Sequence, residues 1–164
     1  MAELPSHLAV GRGAMPGPVA GGYLSFSFYL NDASAPGIGT PIRVGFVAPF
    51  DMRLERIDYR TRGASPGASD VDARAYKNTA AGGFSITGGT AFHASIDVDL
   101  AGVYSVSQNS GATAAFVSSA ARNVLAGECV FVEYTYDGTG VLNDHTVVFT
   151  VFTQGHVNVL PTND

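Results

Sequence analysis

Residues 23 to 30 read Tyr-Leu-Ser-Phe-Ser-Phe-Tyr-Leu, a strict two-residue alternation. Successive strand side chains point to opposite faces. Leu24, Phe26, Phe28 and Leu30 therefore fall on one side, and Tyr23, Ser25, Ser27 and Tyr29 on the other. Residues 147 to 152, Val-Val-Phe-Thr-Val-Phe, supply a second strand near the other end of the chain. Gly-rich turns and short apolar runs lie between, and no segment carries a sustained helical period. The alternation constrains the chain to an all-β, antiparallel sandwich.

Further strands are expected at 42 to 47, 52 to 61, 71 to 78, 92 to 100, 104 to 108, 114 to 118, 129 to 136 and 146 to 153. In the run from 52 to 61, Ile57 and Tyr59 flank Asp58, which shares the opposite face with Arg56 and Arg60. In 92 to 100, Ala94, Ile96, Val98 and Leu100 are expected inward. Gly82-Gly83 and Gly88-Gly89 bracket Phe84 to Thr87 and suggest a hairpin. Residues 119 to 126 suggest one helical turn. Two strands are apolar on both faces: Cys129 and Phe131 oppose Val130 and Val132, and Val148 and Phe152 oppose Val147, Phe149 and Val151. Something must cover their outer faces, whether the N-terminal arm, a loop or another subunit.

That arm is residues 1 to 22, with five glycines and three prolines, a composition that supports neither helix nor long strand. Extended, it would reach roughly 70 Å at about 3.3 Å per residue. Leu4, Leu8, Val10, Met15 and Val19 are spaced to dock on a neighbour. Residues 23 to 164 form one domain, long enough to bury a substantial core.

Charged residues are only 14% of the chain, against roughly 25% in ordinary soluble domains, which points to surface covered by self-association or docking. No apolar run approaches the roughly 20 residues of a membrane-spanning helix. A net charge of −5 argues against nucleic acid as the main partner. Arg43, Arg53, Arg56, Arg60, Arg62 and Arg74 hold six of the nine basic residues, interleaved with Asp51, Glu55, Asp58, Asp70 and Asp72. Alternating sign favours ion pairs along a strand face or across a subunit contact. Arg56, Arg60, Tyr134 and Phe152 are the candidate interface residues. The N-terminus lacks a basic stretch followed by an apolar one, so no secretory signal is expected and folding in a cytosol is.

Little in the sequence suggests reaction chemistry. The four histidines, at 7, 93, 145 and 156, show no ligand spacing. Asp97 with Asp99, and Asp70 with Asp72, are the pairs that would contribute to a cation site, but such sites draw on six or more oxygens. No Gly-x-Ser-x-Gly, phosphate loop or Gly-x-Gly-x-x-Gly stands in the chain. Cys129, the single cysteine, lies in an apolar strand and reads as a small buried hydrophobe. The expectation is no catalytic residue, no cofactor and no metal. Tyr23, Tyr29, Tyr134 and Tyr136 are the available aromatic platforms for a glycan, with packing as their commoner role.

The Gly/Pro arm is followed by Val47-Ala48-Pro49-Phe50-Asp51-Met52-Arg53-Leu54-Glu55-Arg56-Ile57, and later by Val124-Leu125-Ala126-Gly127-Glu128-Cys129-Val130-Phe131-Val132. This order of segments, over residues 23 to 155, resembles the jelly-roll proteins of tailed-bacteriophage virions. The resemblance implies an antiparallel β-sandwich of jelly-roll type with an extended N-terminal arm. It also implies a non-enzymatic structural role. The first expectation is a homotrimeric capsid decoration (cement) protein on the virion surface, with the arm gripping the major capsid protein or neighbouring virion subunits. The alternative is a tail-fibre or spike tip that binds a receptor or glycan. The chain begins at a Met and carries no fibre shaft, which favours the free-standing decoration protein.

Overall fold

The alternating segments form ten strands in the computed structural model, which describes residues 22–30, 41–61, 71–98, 101–108, 111–136 and 144–153. They are β1 (Tyr23–Leu30), β2 (Ile42–Val47), β3 (Met52–Thr61), β4 (Val71–Asn78), β5 (Thr90–Ala91), β6 (Ile96–Asp97), β7 (Gly102–Val106), β8 (Asn123–Val124), β9 (Cys129–Tyr136) and β10 (His145–Thr153). Leu4, Leu8, Val10, Met15 and Val19 of the expected arm lie outside the described residues, as do Asp70, Asp99 and Leu100. No helix among the described residues is long and apolar enough to cross a membrane.

Two sheets pack face to face. One runs β1-β10-β3-β7 with β8 also on β3, and the other β2-β9-β4-β5 with β6 also on β4. The first four strands alternate between the sheets, and β9 and β10 insert between them: β9 lies between β2 and β4, and β10 between β1 and β3. All these pairings are antiparallel. This is the strand order of a jelly roll, two interlocked Greek keys closed by the last strands of the chain.

The core follows from the pleat. Val147, Phe149 and Val151 of β10 meet Val130 and Val132 of β9, with Ala73 and Ala75 of β4 beside them, all essentially inaccessible to water. On β3 the alternation breaks once. Arg56 pairs with Thr150 but Leu54 pairs with Val151, which leaves Glu55 as the extra residue of a bulge. The bulge turns both Leu54 and Ile57 inward, as an inserted residue must when the pleat has period two.

Several expected elements differ. Phe84 to Thr87 is not a hairpin: residues 80 to 88 make turns and fold back over the outer face of β9. Asn78 Nδ2 donates to the carbonyls of Ser85 (2.8 Å) and Thr87 (3.2 Å), and Phe84 lies on Phe131 at 5.5 Å between ring centres. That lid covers β9, so its second apolar face needs no partner chain. The expected strand 92 to 100 shrinks to β6, preceded by β5. Ile96 and Val98 point inward as expected, whereas Ala94 is exposed. The expected strand 114 to 118 is a single parallel bridge between Val106 and Ala114. Residues 119 to 122 turn through Arg122 N–H to Ser119 C=O (3.3 Å) and run into β8 without forming a helix.

Candidate functional site

The two segments that carry the sequence resemblance meet at one end of the sandwich. Ala48 N–H donates to Glu128 C=O and Gly127 N–H to Ala48 C=O, each at 2.8 Å. The Asp51 carboxylate accepts the Ala126 N–H at 2.8 Å, and the Glu128 carboxylate accepts the Leu125 N–H at 2.8 Å. Gly127 takes φ +87°, a conformation strained for any residue with a side chain. Pro49 and Asp51 thus turn the chain from β2 into β3, and Ala-Gly-Glu turns it from β8 into β9. The corner stitches two sheet crossovers together, so these residues are placed for architecture.

Polar groups with displaced protonation lie inside the sandwich. Tyr59, His93, Tyr134 and His145 are all wholly buried. The hydrogen bonds fix both tautomers. His93 Nδ1–H donates to the Ala94 carbonyl (2.6 Å), so Nε2 accepts from Ala75 N–H (3.1 Å) and Tyr59 O–H (2.8 Å). Thr61 O–H donates to Val98 C=O (2.9 Å), so its oxygen accepts from His145 Nδ1–H (2.8 Å), and His145 Nε2 accepts from Tyr134 O–H (2.8 Å). Burial lowers both imidazoles to about 4; for His93 the Ala94 bond opposes this and the nearby Arg74 charge adds to it. Burial raises both phenols well above their ordinary value. Every named atom is satisfied within the core, so the network specifies packing.

The outer face of the first sheet is the open surface. Register places its side chains in rows: Tyr23, Phe152 and Arg53; Ser25, Thr150 and Arg56; Ser27, Val148, Asp58 and Ser105; Tyr29, Thr146, Arg60 and Val103. Tyr23 is 68% exposed and Tyr29 61%, roughly 20 Å apart along β1 at about 3.4 Å per residue. The Tyr23 and Phe152 rings meet edge to face at 5.3 Å between centres, and the Arg53 guanidinium lies over the Phe152 ring at 5.8 Å.

Charges on this face are largely paired with one another. Arg56 Nε binds Asp58 at 2.7 Å, and Ser105 O–H donates to the same carboxylate oxygen at 2.6 Å. Glu55, on the bulge, pairs with both Arg53 and Arg122. The expected alternation of sign along the strand thus becomes ion pairs within one face. Arg60 makes no ion pair among the described residues, and with Tyr29, Asp144 and Thr146 it lines a small hollow; Tyr29 O–H donates to Asp144. A second hollow lies among Tyr23, Glu55, Arg56, Arg122 and Thr150.

Of the candidate interface residues, Arg56, Arg60 and Phe152 share this face, half-buried or exposed. Tyr134 does not: its ring is in the core and its hydroxyl is committed to His145, so it reaches no partner. Tyr136 is buried as well, which leaves Tyr23 and Tyr29 as the exposed platforms of the four. Cys129 is buried as expected. Asp72 and Asp97, one from each suspected cation pair, prove to be cross-strand neighbours. Among the described residues no three His, Cys, Asp or Glu side chains converge as metal ligands would. The His–Tyr core was invisible in sequence because its four members come from three strands, β3, β9 and β10, and from the segment between β5 and β6. The chain matches no protein-family model and no curated protein.

Proposed function

We propose that this chain is a non-enzymatic structural protein of a tailed-phage virion. Its leading role is that of a homotrimeric decoration protein on the capsid surface, with residues 1 to 22 gripping capsid or neighbour. The observation that carries the reading is the distribution of polar chemistry. The perturbed histidines and tyrosines are locked in a packing network, whereas the broad outer face of β1, β10, β3 and β7 offers exposed tyrosines, hydroxyls and mutually paired charges. Such a face suits contact with protein, since aromatics and arginine dominate interface cores while unpaired charge is costly there. The jelly-roll strand order and the corner joining Asp51 to Ala126 agree with the resemblance on which the virion assignment rests.

Immunogold labelling of purified virions with an antibody to this chain tests it. Gold over the head is the expected result, and unlabelled particles would remove the reading. Gold at the tail would favour the second reading, a glycan-binding tip. The hollow beside Tyr29 favours that alternative: it combines an aromatic face, the Asp144 carboxylate, the Thr146 hydroxyl and the Arg60 guanidinium. Loss of signal on a glycan array in Y29A would support it.

A further inference from the structure

A sheet edge exposes backbone groups that another strand can pair with, and proteins blunt such edges with charge, proline, bulges, short strands or a covering segment. Among the described residues the two sheets have four edges, and three of them are blunted. The edge beyond β7 is covered by residues 113 and 114, through Ala114 N–H to Ser105 C=O and Ser107 N–H to Ala114 C=O, each at 3.2 Å, and Ser105 N–H to Thr113 Oγ1 at 3.1 Å. β5 and β6 are two residues each. β2 has six residues between Pro41 and Pro49 and carries Arg43 and Gly45.

Among the described residues β1 has none of these devices. It has eight residues without a charge, proline or glycine, and pairs with β10 from end to end without a register shift. Among the described residues it has a neighbour on one side only. Its inward side chains are also incompletely covered: Leu24 is 37% exposed, and Phe26, Phe28 and Leu30 are only half-buried. Phe26 stacks on Phe46 of β2 at 4.1 Å between ring centres, and Ile42 and Val44 beside it are half-buried too. Among the described residues, one long side of the sandwich is therefore an apolar seam under an edge that no strand pairs.

We propose that β1 pairs with β1 of a second copy of this chain, antiparallel, across a two-fold axis at Phe26. The strand's own pattern argues for this occupant. In that register Tyr23 faces Tyr29, Leu24 faces Phe28, Ser25 faces Ser27 and Phe26 faces itself, so each hydroxyl meets a hydroxyl and each apolar side chain an apolar one. No charge repels its copy, and the direct cross-strand pairs are the kind that stabilise antiparallel sheets. The inward side chains of the added strand continue the seam above Phe46. The two sheets become one, β7-β3-β10-β1 running into β1-β10-β3-β7 of the second copy. The contact is isologous, so it makes pairs; beside a three-fold contact it would link one trimer to the next. Seven paired residues fall well short of the roughly 20–30 per side of a standard stable interface, so micromolar association is expected.

Sedimentation equilibrium of the purified full chain, from micromolar to millimolar, tests this independently of any virion assay. The wild-type chain should show a two-fold step in mass. S25K/S27K places like charges opposite each other on the exposed face without touching the core, and should weaken that step at least tenfold at an unchanged circular dichroism spectrum. As a second measurement, S25C and S27C chains mixed and mildly oxidised should give a covalent heterodimer in preference to either homodimer. Cys129 is buried and would not compete. A chain that stays monomeric at millimolar concentration would overturn the proposal. So would association that S25K/S27K leaves intact together with no preferred heterodimer.

Discussion

Acidification tests the Tyr–His core directly. His93 and His145 sit at about 4 against an ordinary value of 6.5 because burial disfavours the charged ring. Above pH 6.5 both rings are neutral whether the chain is folded or not, and stability is independent of their titration. Between 6.5 and about 4 the unfolded chain takes up a proton at each ring and the folded chain does not, so stability falls with falling pH. Below about 4 the folded rings protonate too and the loss levels off. At 1.36 kcal/mol per unit the gap is worth about 3 kcal/mol per ring and about 7 kcal/mol for both. That rivals the whole stability of a small domain, ~5–15 kcal/mol. Urea unfolding at steps between pH 7.5 and 4.5 should show a slope near two protons around pH 5, about 2.7 kcal/mol per pH unit. H145Q removes one titrating ring and should halve that slope, whatever it does to stability at pH 7.5. A urea midpoint that is flat from pH 6.5 to 4.5, or a slope that H145Q leaves unchanged, would refute the buried-neutral assignment.

Three further substitutions separate packing from polar terms. A Cβ at Gly45 would stand 2.1 Å from Val130 O and 2.6 Å from Phe131 Cα, so G45A must push β2 from β9 and should cost about 2 kcal/mol in urea unfolding; an unchanged midpoint would contradict the close approach. Y134F strips His145 Nε2 of its donor, whereas Y59F leaves His93 Nε2 the Ala75 N–H. Y134F should therefore be the more damaging by about 1 kcal/mol, and equal losses would argue against the assigned tautomers. F84A removes the ring that covers Phe131 and should cost about 2 kcal/mol while opening residues 80 to 88 to limited proteolysis; a cleavage pattern like that of the wild type would mean the lid is held by Asn78 alone.

Much of the strand content was legible because period-two alternation is a local property. β1, β2, β3 and β4 occupy the expected residues, and β9 and β10 agree to within one. Each is long enough for its pattern to outweigh the flanking turns. The failures are short segments. Phe84 sits between glycine pairs that suit a hairpin equally well, and only the presence of Phe131 beneath it decides that the segment lies across a sheet face. Residues 92 to 98 alternate well, yet Phe92 and His93 are buried side by side, because β5 and β6 each pair briefly with β4 and the chain leaves the pleat between them. For the candidate surface, the sequence indicated that Arg56, Asp58 and Arg60 share a face. It also put Tyr134 at an interface, and there it was wrong: the side chain is buried and its hydroxyl is held by a histidine eleven residues later in the chain.

What the sequence by itself determined is the local part: strands, their two faces, the apolar character of the core, and the self-complementary pattern of β1. Those follow from residue spacing and need no knowledge of partners. Tertiary structure alone decided which strand lies beside which, and hence what each outer face meets. β9 is doubly apolar because its own chain folds over it, while β10, equally apolar in sequence, keeps Val148 half-open between Ser27 and Asp58 and Phe152 half-open between Tyr23 and Arg53. The same pattern thus yields a covered core strand in one sheet and part of a contact surface in the other. Coverage depends on non-local packing, and alternation carries no information about what lies across a face.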